Sequence, residues 1–425
     1  MPSQLPLLVS RASSSAGAAD TAKTIRLQWQ SPSGILSILL IVAGDIVGEA
    51  LDQLSGQTVS PVVFSFGWVS FAVSAFMTAI GVHQLLTPSK KNKPKDKAVN
   101  IKSGKVTENR SWVLDHILRD WDYWKPHEVR RDEEEKHRQW AEADGEMRPR
   151  NTSSGSSHDQ NQMPKPRARA EGDEEGVGED EDVDDDAEYA QSLRIIFFRS
   201  GPSHKQARPS KDRLWCSGVA TAVLQHGIAA IPCGLDGYWA PLMIAFIGTI
   251  LAFTTGALPQ FGKEKWDCKR RSSKTVALMR SNTEGSVSDI LVVRGEGKGL
   301  DLEEMAKGGR WHTQTLRKEQ VTVWPWTRMA TGTLAACWIV LLITAAGVKG
   351  NSWYLLGIGT LGLVQNAFVA GSPRTPAANG VHLEYEGLIS EGSVKETLRA
   401  CGERWPDIGR TLEKVVMNGS GTGSQ

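Results

Sequence analysis

Residues 238–258 read YWAPLMIAFIGTILAFTTGAL and contain no charged side chain. A helix needs about 20 apolar residues to cross the hydrocarbon core of a bilayer. This stretch therefore predicts a transmembrane helix rather than the buried helix of a water-soluble domain. Similar apolar stretches occur at residues 33–51, 61–86, 214–231, 327–348 and 353–371. The stretches 33–51 and 214–231 carry polar residues, so a re-entrant segment is the alternative for these two.

Short connections join these stretches in pairs, with about ten, about six and about four residues in the three connections. Connections of this length make the two joined helices antiparallel neighbours. The predicted fold class is mainly α, a six-helix transmembrane bundle of three helical hairpins with a small cytosolic α/β domain assembled from two loops. The predicted hairpins are residues 33–86, 214–258 and 327–371.

The long loops are rich in lysine and arginine, and the short connections are nearly free of them. Basic residues near span ends are retained on the cytosolic side of a membrane. The distribution predicts an integral membrane protein with the N-terminal arm 1–32, both long loops and the tail 372–425 in the cytosol. Tryptophans near span ends, such as Trp215 and Trp239, are typical of the membrane–water interface.

The first long loop, residues 87–213, divides into three parts. Residues 98–125 are expected to be ordered, as a small hairpin followed by a helix that Asn109 caps. Residues 141–188 predict a disordered linker, because its last part, from 171 to 188, holds twelve carboxylates and no basic residue. An electrostatic contact with basic juxtamembrane segments is the alternative role of the acidic run. Residues 192–198 predict a strand.

The second long loop, residues 259–326, predicts strands at 275–279 and 289–293 and a helix at 300–306. The glycine-rich stretch 295–299 lacks the third glycine of a dinucleotide fingerprint and the Gly-Lys-Ser/Thr of a P-loop. It therefore predicts a plain tight turn.

The tail 372–425 is amphipathic and predicts two helices. Ser393 and Glu396 have the spacing of a capping box, and Pro406 is placed to open the second helix. Docking of these helices on the cytosolic sheet is favoured over a position on the membrane surface.

Several short motifs of the spans and of the ordered loop parts carry a family resemblance. They are GDIV at 44–47, PVVFSFGW at 61–68, ENRSW at 108–112, GALPQ at 256–260, KTVAL at 274–278, GKGLDLE at 297–303 and QNAFVAG at 365–371. With these motifs the chain resembles a family of fungal multi-pass membrane proteins of uncharacterised function. The resemblance implies a membrane protein without a known activity or ligand, and no site residue is carried over from it.

Polar side chains inside the predicted spans are the candidate functional residues. They are Asp45, Glu49, Gln225, His226, Gln365 and Asn366. An ionisable group at the bilayer centre costs about 2.5–3.5 kcal/mol. One hypothesis is a proton- or cation-coupled pathway in which Asp45 and His226 exchange protons. The alternatives are a network of interhelical hydrogen bonds, each worth about 0.6 kcal/mol, and a Glu49 that reaches the outer interface.

Motifs of enzymes and metal sites do not occur in the sequence: it holds no HExxH, CxxC, nucleophile elbow or EF-hand loop. We therefore predict no catalytic residue, no metal site and no cofactor. The cysteines are expected to be free thiols. The sequence has no aromatic–basic module for nucleic acid. The partners that it favours are the lipid bilayer, anionic lipid headgroups near the juxtamembrane lysines, and a cytosolic protein.

Together these features predict a non-enzymatic membrane scaffold or regulator with a partner-binding cytosolic domain, because the ordered polar mass faces the cytosol. The alternative is a small-solute or proton/cation-coupled transporter that uses Asp45, Glu49 and His226. Flux that the substitution Asp45→Asn abolishes would favour the transporter.

Overall fold

The computed structural model describes residues 33–57, 59–80, 85, 96–147, 193–280, 288–308, 325–348 and 352–419. The helices are α1 (Ser33–Leu54), α2 (Gly67–Ile80), α3 (Trp112–Arg119), α4 (Trp121–Trp124), α5 (His127–Met147), α6 (Arg213–Asp236), α7 (Ala240–Gly256), α8 (Pro259–Lys265), α9 (Leu302–Ala306), α10 (Pro325–Ala346), α11 (Ser352–Gly371), α12 (Val394–Arg404) and α13 (Pro406–Gly419). The strands are β1 (Lys97–Asn100), β2 (Val106–Glu108), β3 (Leu193–Ser200), β4 (Thr275–Met279), β5 (Ser288–Arg294) and β6 (Leu383–Ser390).

Within the part of the chain that the structure describes, four helical segments are long and apolar enough to cross a membrane. They are Arg213–Asp236, Ala240–Lys265, Trp326–Ala346 and Ser352–Gly371. They coincide with the last four predicted spans and support a membrane protein. The helix α1 has 22 residues, whereas α2 has only 14 and is shorter than a bilayer-crossing helix.

The second predicted span is only partly helical. Residues 60–66 are extended and buried, and the helix α2 begins at Gly67. The prediction of a single helix over residues 61–86 is therefore wrong at its start, and residues 81–84 and 86 lie outside the described part of the chain. Pro61 lacks an amide N–H, and the two valines that follow it are β-branched, so the sequence favours extended backbone here.

The extended segment enters the bundle at the same end at which the chain leaves it. The carbonyl of Val59 accepts a hydrogen bond from the indole of Trp215 (3.1 Å), at the start of α6. After α2, the amide of Leu85 donates to Glu264 Oε2 (2.9 Å) in α8. The start of α6 and the helix α8 both lie at the end of the bundle next to the sheet. Residues 59–80 therefore form a re-entrant hairpin.

The tip of the re-entrant hairpin lies in the middle of the bundle. Gly67 packs directly against the backbone of Ala43, and the ring of Phe66 packs against Gly359 of α11. Ala43 lies about 16 Å from the last residue of α1 at the helical rise per residue. The hairpin thus penetrates about halfway and returns.

The helices α1 and α2 run in the same direction. Gly44 packs against Ser70, and Gly48 packs against Phe71. The prediction that residues 33–86 form an antiparallel helical hairpin is therefore wrong. The extended segment, and not a helix, carries the chain back into the bundle after α1.

The predicted third hairpin is also rearranged. The helix α10 packs mainly against α2 and α7, whereas α11 packs mainly against α1 and α6. The two helices are consecutive in the chain but are not each other's main neighbours, because the re-entrant hairpin occupies the centre of the bundle. In the predicted second hairpin, α6 does pack against α7.

The two ends of the described chain lie at opposite ends of the bundle. The last turn of α1 lies next to the sheet domain, so Ser33 lies at the remote end. The tail contributes β6, α12 and α13 to the sheet domain. The prediction that the N-terminal arm 1–32 and the tail share one side stays a prediction, because residues 1–32 lie outside the described part of the chain.

The sheet domain contains one mixed sheet with the strand order β2-β1-β4-β5-β3-β6. The strands β3 and β5 are parallel, and the other neighbouring pairs are antiparallel. The predicted strands at 192–198, 275–279 and 289–293 correspond to β3, β4 and β5. The predicted origin from two loops is incomplete, because β6 comes from the tail. Alternating glutamates and half-exposed apolar residues hid this edge strand from the sequence analysis.

Helices cover both faces of the sheet. Ile196 and Phe198 of β3 face a core shared with α3, α4 and α9. Ile195 and Phe197 face the opposite core, which α12 and α13 complete. The Ser393 side chain caps α12 by accepting from the Glu396 amide (3.2 Å), as the capping-box spacing predicts. The predicted docking of the tail helices on the sheet is therefore confirmed.

Two predictions for the first long loop need correction. The helix α5 continues to Met147, so residues 141–147 are helical although the sequence analysis assigned them to the disordered linker. Residues 148–188 of that linker lie outside the described part. The cap of α3 is Ser111 rather than Asn109, because the carboxamide oxygen of Asn109 instead accepts from the Ser111 amide (2.9 Å). Strong helix formers and ion pairs explain α5, which lacks a wide apolar face.

Candidate functional site

Asn366 of α11 pairs with the extended segment as a neighbouring strand would. Its side-chain oxygen accepts from the Val63 amide (3.1 Å), and its side-chain nitrogen donates to the Val63 carbonyl (3.0 Å). Asn366 is only 1% exposed. An unsatisfied backbone group in hydrocarbon costs several kcal/mol, so the Asn366 side chain stabilises the irregular backbone at Val63.

Gln225 of α6 hydrogen-bonds to the same segment, about one helical turn deeper in the bundle. Its Nε2 donates to the carbonyls of Phe64 and Ile358, both at 2.8 Å. Its Oε1 is buried and has no partner among the described residues. Gln225 therefore connects α6, α11 and the re-entrant hairpin through one amide group.

Gln365 joins two helices near the sheet end of the bundle. Its Oε1 accepts from Thr221 Oγ1 (3.2 Å), and its Nε2 donates to Ser217 Oγ (2.8 Å). Both partners belong to α6. The three predicted amide residues thus lie in one region, and all of them hold elements of the bundle together.

The ionisable residues of the predicted pathway do not converge. Asp45 and Glu49 are exposed on the outer face of α1. Neither has a hydrogen bond or ion pair within the described ranges. His226 is half-buried, and its Nδ1 lies 2.7 Å from the Ala222 carbonyl of its own helix. The Asp45–His226 contact that helix geometry allowed is therefore not formed.

Aromatic rings fill the space around the hairpin tip. Trp338 of α10 stacks on Trp68 with ring centroids 5.5 Å apart, and it also stacks on Phe64 with ring centroids 6.1 Å apart. Phe64 also meets Phe66 edge to face at 5.6 Å. These residues are at most 4% exposed. Within the described residues, buried rings therefore pack closely around the hairpin tip.

A second buried polar cluster lies where the bundle meets the sheet domain. The guanidinium of Arg374 is fully buried and pairs with Asp212 (2.7 Å). It also donates to the carbonyl of Gln53, in the last turn of α1, while the Arg374 amide donates to Asp120 (2.9 Å). Arg374 therefore links α1, the sheet-domain helices and the start of α6.

Lys265 caps the same end of α1. Its ammonium donates to the carbonyls of Asp52, Gln53 and Ser55 at 2.9, 3.4 and 3.2 Å. The negative end of a helix dipole favours such a cation. The sequence analysis missed Lys265 and Arg374, because a basic residue just after an apolar span is usually a solvated juxtamembrane residue.

His116 of α3 lies close to this cluster and is almost buried. Its ring stacks on Trp112, with centroids 3.9 Å apart. Burial, followed by the charge of Arg119, lowers the pKa of His116 from 6.5 to about 3. The imidazole is therefore neutral in the folded protein at physiological pH.

The lowered pKa of His116 makes stability depend on pH. The unfolded chain binds a proton below about pH 6.5 and the folded chain does not, so stability is lost as pH falls from about 6.5 towards 3. One such group contributes about 1.4 kcal/mol per pH unit in that window. We expect the melting temperature of the detergent-solubilised protein to fall from pH 6.5 to pH 5, and to fall less in His116→Gln. Equal slopes for both proteins would contradict this assignment.

The outer face of the sheet domain carries an open groove between α12 and α13. Its volume is about 640 Å³. The two helices approach closely at Gly402 and Gly409. Pro406 and Met417 contribute apolar surface, and charged residues of both signs form the rim. They are Lys395, Arg399, Arg410, Glu403 and Glu413.

No protein-family model, curated protein or solved structure matches this chain.

Proposed function

We propose that this protein is a membrane scaffold or regulator without enzymatic activity, whose sheet domain binds a partner protein in the cytosol. The observation that carries the proposal is the role of the buried amides. Gln225 and Asn366 hold the extended segment in place, and aromatic rings fill the space around it. An apolar cavity of about 10 Å³ near Phe71 has room for one water molecule at most.

We also propose an orientation for the chain. In it α1, α6, α7, α10 and α11 cross the membrane, and residues 59–80 enter and return. Five crossings place the arm 1–32 opposite the sheet domain. The abundance of basic residues at the sheet end supports a cytosolic sheet domain, and the 24 residues of α6 give a helix about 36 Å long, enough to cross.

The groove between α12 and α13 supports the partner-binding part of the proposal. We assign to it an amphipathic helix of the partner, with apolar side chains against Pro406 and Met417 and acidic side chains opposite Arg399 and Arg410. Helix-in-groove binding of this kind combines an apolar stripe with charged rims. The groove faces away from the bundle, so a cytosolic helix can reach it.

Site-specific photo-crosslinking of the full-length protein in native membranes tests the groove. A photoreactive residue at position 399 or 410 is expected to give the same adduct, and one at exposed Lys105 of the β1–β2 turn should not. The partner, once identified and purified, should bind Arg399→Glu/Arg410→Glu about tenfold more weakly or worse. Equal binding by this variant would refute the groove assignment.

One observation favours a second candidate function, transport of a small solute or cation. Transporters use discontinuous helices whose half-helix begins near the membrane centre, as α2 does at Gly67. Reconstituted vesicles test this candidate: proton or cation flux that Asp45→Asn abolishes would replace the scaffold proposal. Because Asp45 is exposed, the substitution leaves the packing intact. We expect no flux above that of empty vesicles.

A further inference from the structure

A group of exposed cations surrounds the junction between the bundle and the sheet domain. We call it the basic collar, and it consists of Lys205, Arg208, Lys211, Lys269, Arg270 and Arg271. Within the described ranges none of these six forms an ion pair. Elsewhere in the sheet domain many cations are paired, as in Arg194–Asp289 (2.6 Å) and Arg294–Glu386 (3.1 Å).

The two loops that carry the basic collar both donate hydrogen bonds to the same turn, residues 377–380. In the loop after β3, the amides of Ala207 and Ser210 donate to the carbonyls of Gly380 (2.9 Å) and Ala377 (3.0 Å). In the loop after α8, the indole of Trp266 donates to the carbonyl of Asn379 (3.2 Å). The two groups of cations therefore belong to one rigid surface.

The basic collar lies close to the start of α6, where this helix enters the apolar part of the bundle. Lys211 precedes α6 by two residues, and its ammonium lies 4.5 Å from the ring centre of Trp215. Tryptophan at a helix end marks the headgroup level of a bilayer. The acidic residues of these loops and beside them are engaged: Asp212 pairs with Arg374, Asp267 has an interaction of its own, and Glu304 of α9 accepts from the Lys269 amide (2.9 Å).

We propose that the basic collar binds the headgroups of anionic phospholipids in the leaflet next to the sheet domain. A negatively charged leaflet attracts juxtamembrane cations within about one Debye length, roughly 8 Å at physiological ionic strength. The collar supplies the opposite charge at that depth, and the rigid turn keeps its two halves together. This proposal rests on the membrane orientation given above, because the collar must lie at a bilayer surface.

The test compares lipid binding by full-length variants in detergent, measured by native mass spectrometry with phosphatidylserine and phosphatidylcholine. Wild-type protein should retain phosphatidylserine in preference to phosphatidylcholine. Arg208→Gln/Lys211→Gln/Arg270→Gln should lower the affinity for phosphatidylserine about tenfold or more, because each cation near the surface contributes about fivefold. Its affinity for phosphatidylcholine should stay the same.

The matched control removes three exposed cations at the remote end of the sheet domain, in Lys97→Gln/Arg131→Gln/Arg138→Gln, and should bind phosphatidylserine as wild type does. Equal losses in both triple variants, or no loss in the collar variant, would overturn the proposal. Full competition by millimolar inorganic phosphate would also overturn it, because the site would then take free anions. Alkaline carbonate extraction distinguishes a failure of membrane insertion from a failure of lipid binding, because an inserted protein stays in the membrane pellet whatever lipid it binds.

Discussion

Gly362→Ala is expected to prevent assembly of the bundle. A Cβ atom at this position of α11 would overlap the carbonyl oxygen of Phe64 in the extended segment. Neither group can move away, because Gln225 and Asn366 bond the segment from both sides. Overpacking a close-packed interior costs about 1–3 kcal/mol, and loss of the buried hydrogen bonds adds to this cost. The measurement is the fraction of fluorescently tagged protein that elutes as a single peak after mild detergent extraction.

A glycine of the same helix provides the control for this prediction. Nothing lies within 4 Å of a Cβ atom on Gly357. Gly357→Ala should therefore extract like wild type, with a small gain from the better helix propensity of alanine, up to about 1 kcal/mol. A well-folded Gly362→Ala protein would show that the extended segment does not lie against α11.

Arg374→Gln should cause a comparable loss of stability at the junction. The substitution removes the partner of half-buried Asp212 and one of the donors to the last turn of α1. Loss of a hydrogen bond to a charged group costs about 1.5–3 kcal/mol. Because Asp212 is partly exposed, the cost stays below that of breaking a fully buried ion pair. We expect a lower melting temperature and faster proteolysis in the 201–213 loop of the full-length protein.

The matched control is Arg399→Gln on α12. Arg399 pairs with Glu403 (3.3 Å), and both side chains are at least 70% exposed. An exposed pair of this spacing contributes about 0.3–0.5 kcal/mol, so the melting temperature should hardly change. If Arg374→Gln were as mild as Arg399→Gln, the junction would not couple the bundle to the sheet domain.

The sheet domain could largely be predicted from the sequence because its signals are local. The apolar runs at 275–279 and 289–293 sit between turn residues, and the structure has strands at both places. Ser393 and Pro406 mark the starts of the two tail helices in the same way. The strand β6 was not predicted, because an edge strand with alternating glutamates has no strong apolar signal.

The re-entrant hairpin could not be predicted, because its stability comes from distant residues. The apolar composition of residues 61–80 fits a membrane helix as well as an extended segment. The choice depends on Asn366 and Gln225, which lie 303 and 161 positions away from their backbone partners. Both were recognised as polar groups of the bundle, yet the sequence could not show that they bond backbone rather than each other.

The buried junction between the bundle and the sheet domain could not be predicted for a related reason. Lys265 and Arg374 follow apolar spans, where a cation is normally solvated and marks the cytosolic side. In the folded chain they meet the last turn of α1, over two hundred positions away in sequence for Lys265. Only the three-dimensional arrangement turns two juxtamembrane cations into a buried helix cap.

Glycosylation mapping tests the central claim, an odd number of crossings with a re-entrant hairpin, most directly. An acceptor sequon is placed in the arm 1–32 or between residues 148 and 192 of the full-length protein, which is expressed in cells with an intact endoplasmic reticulum. The account predicts modification of the arm and none of the 148–192 stretch. An unmodified arm together with an unmodified 148–192 stretch would place both on one side and contradict the account.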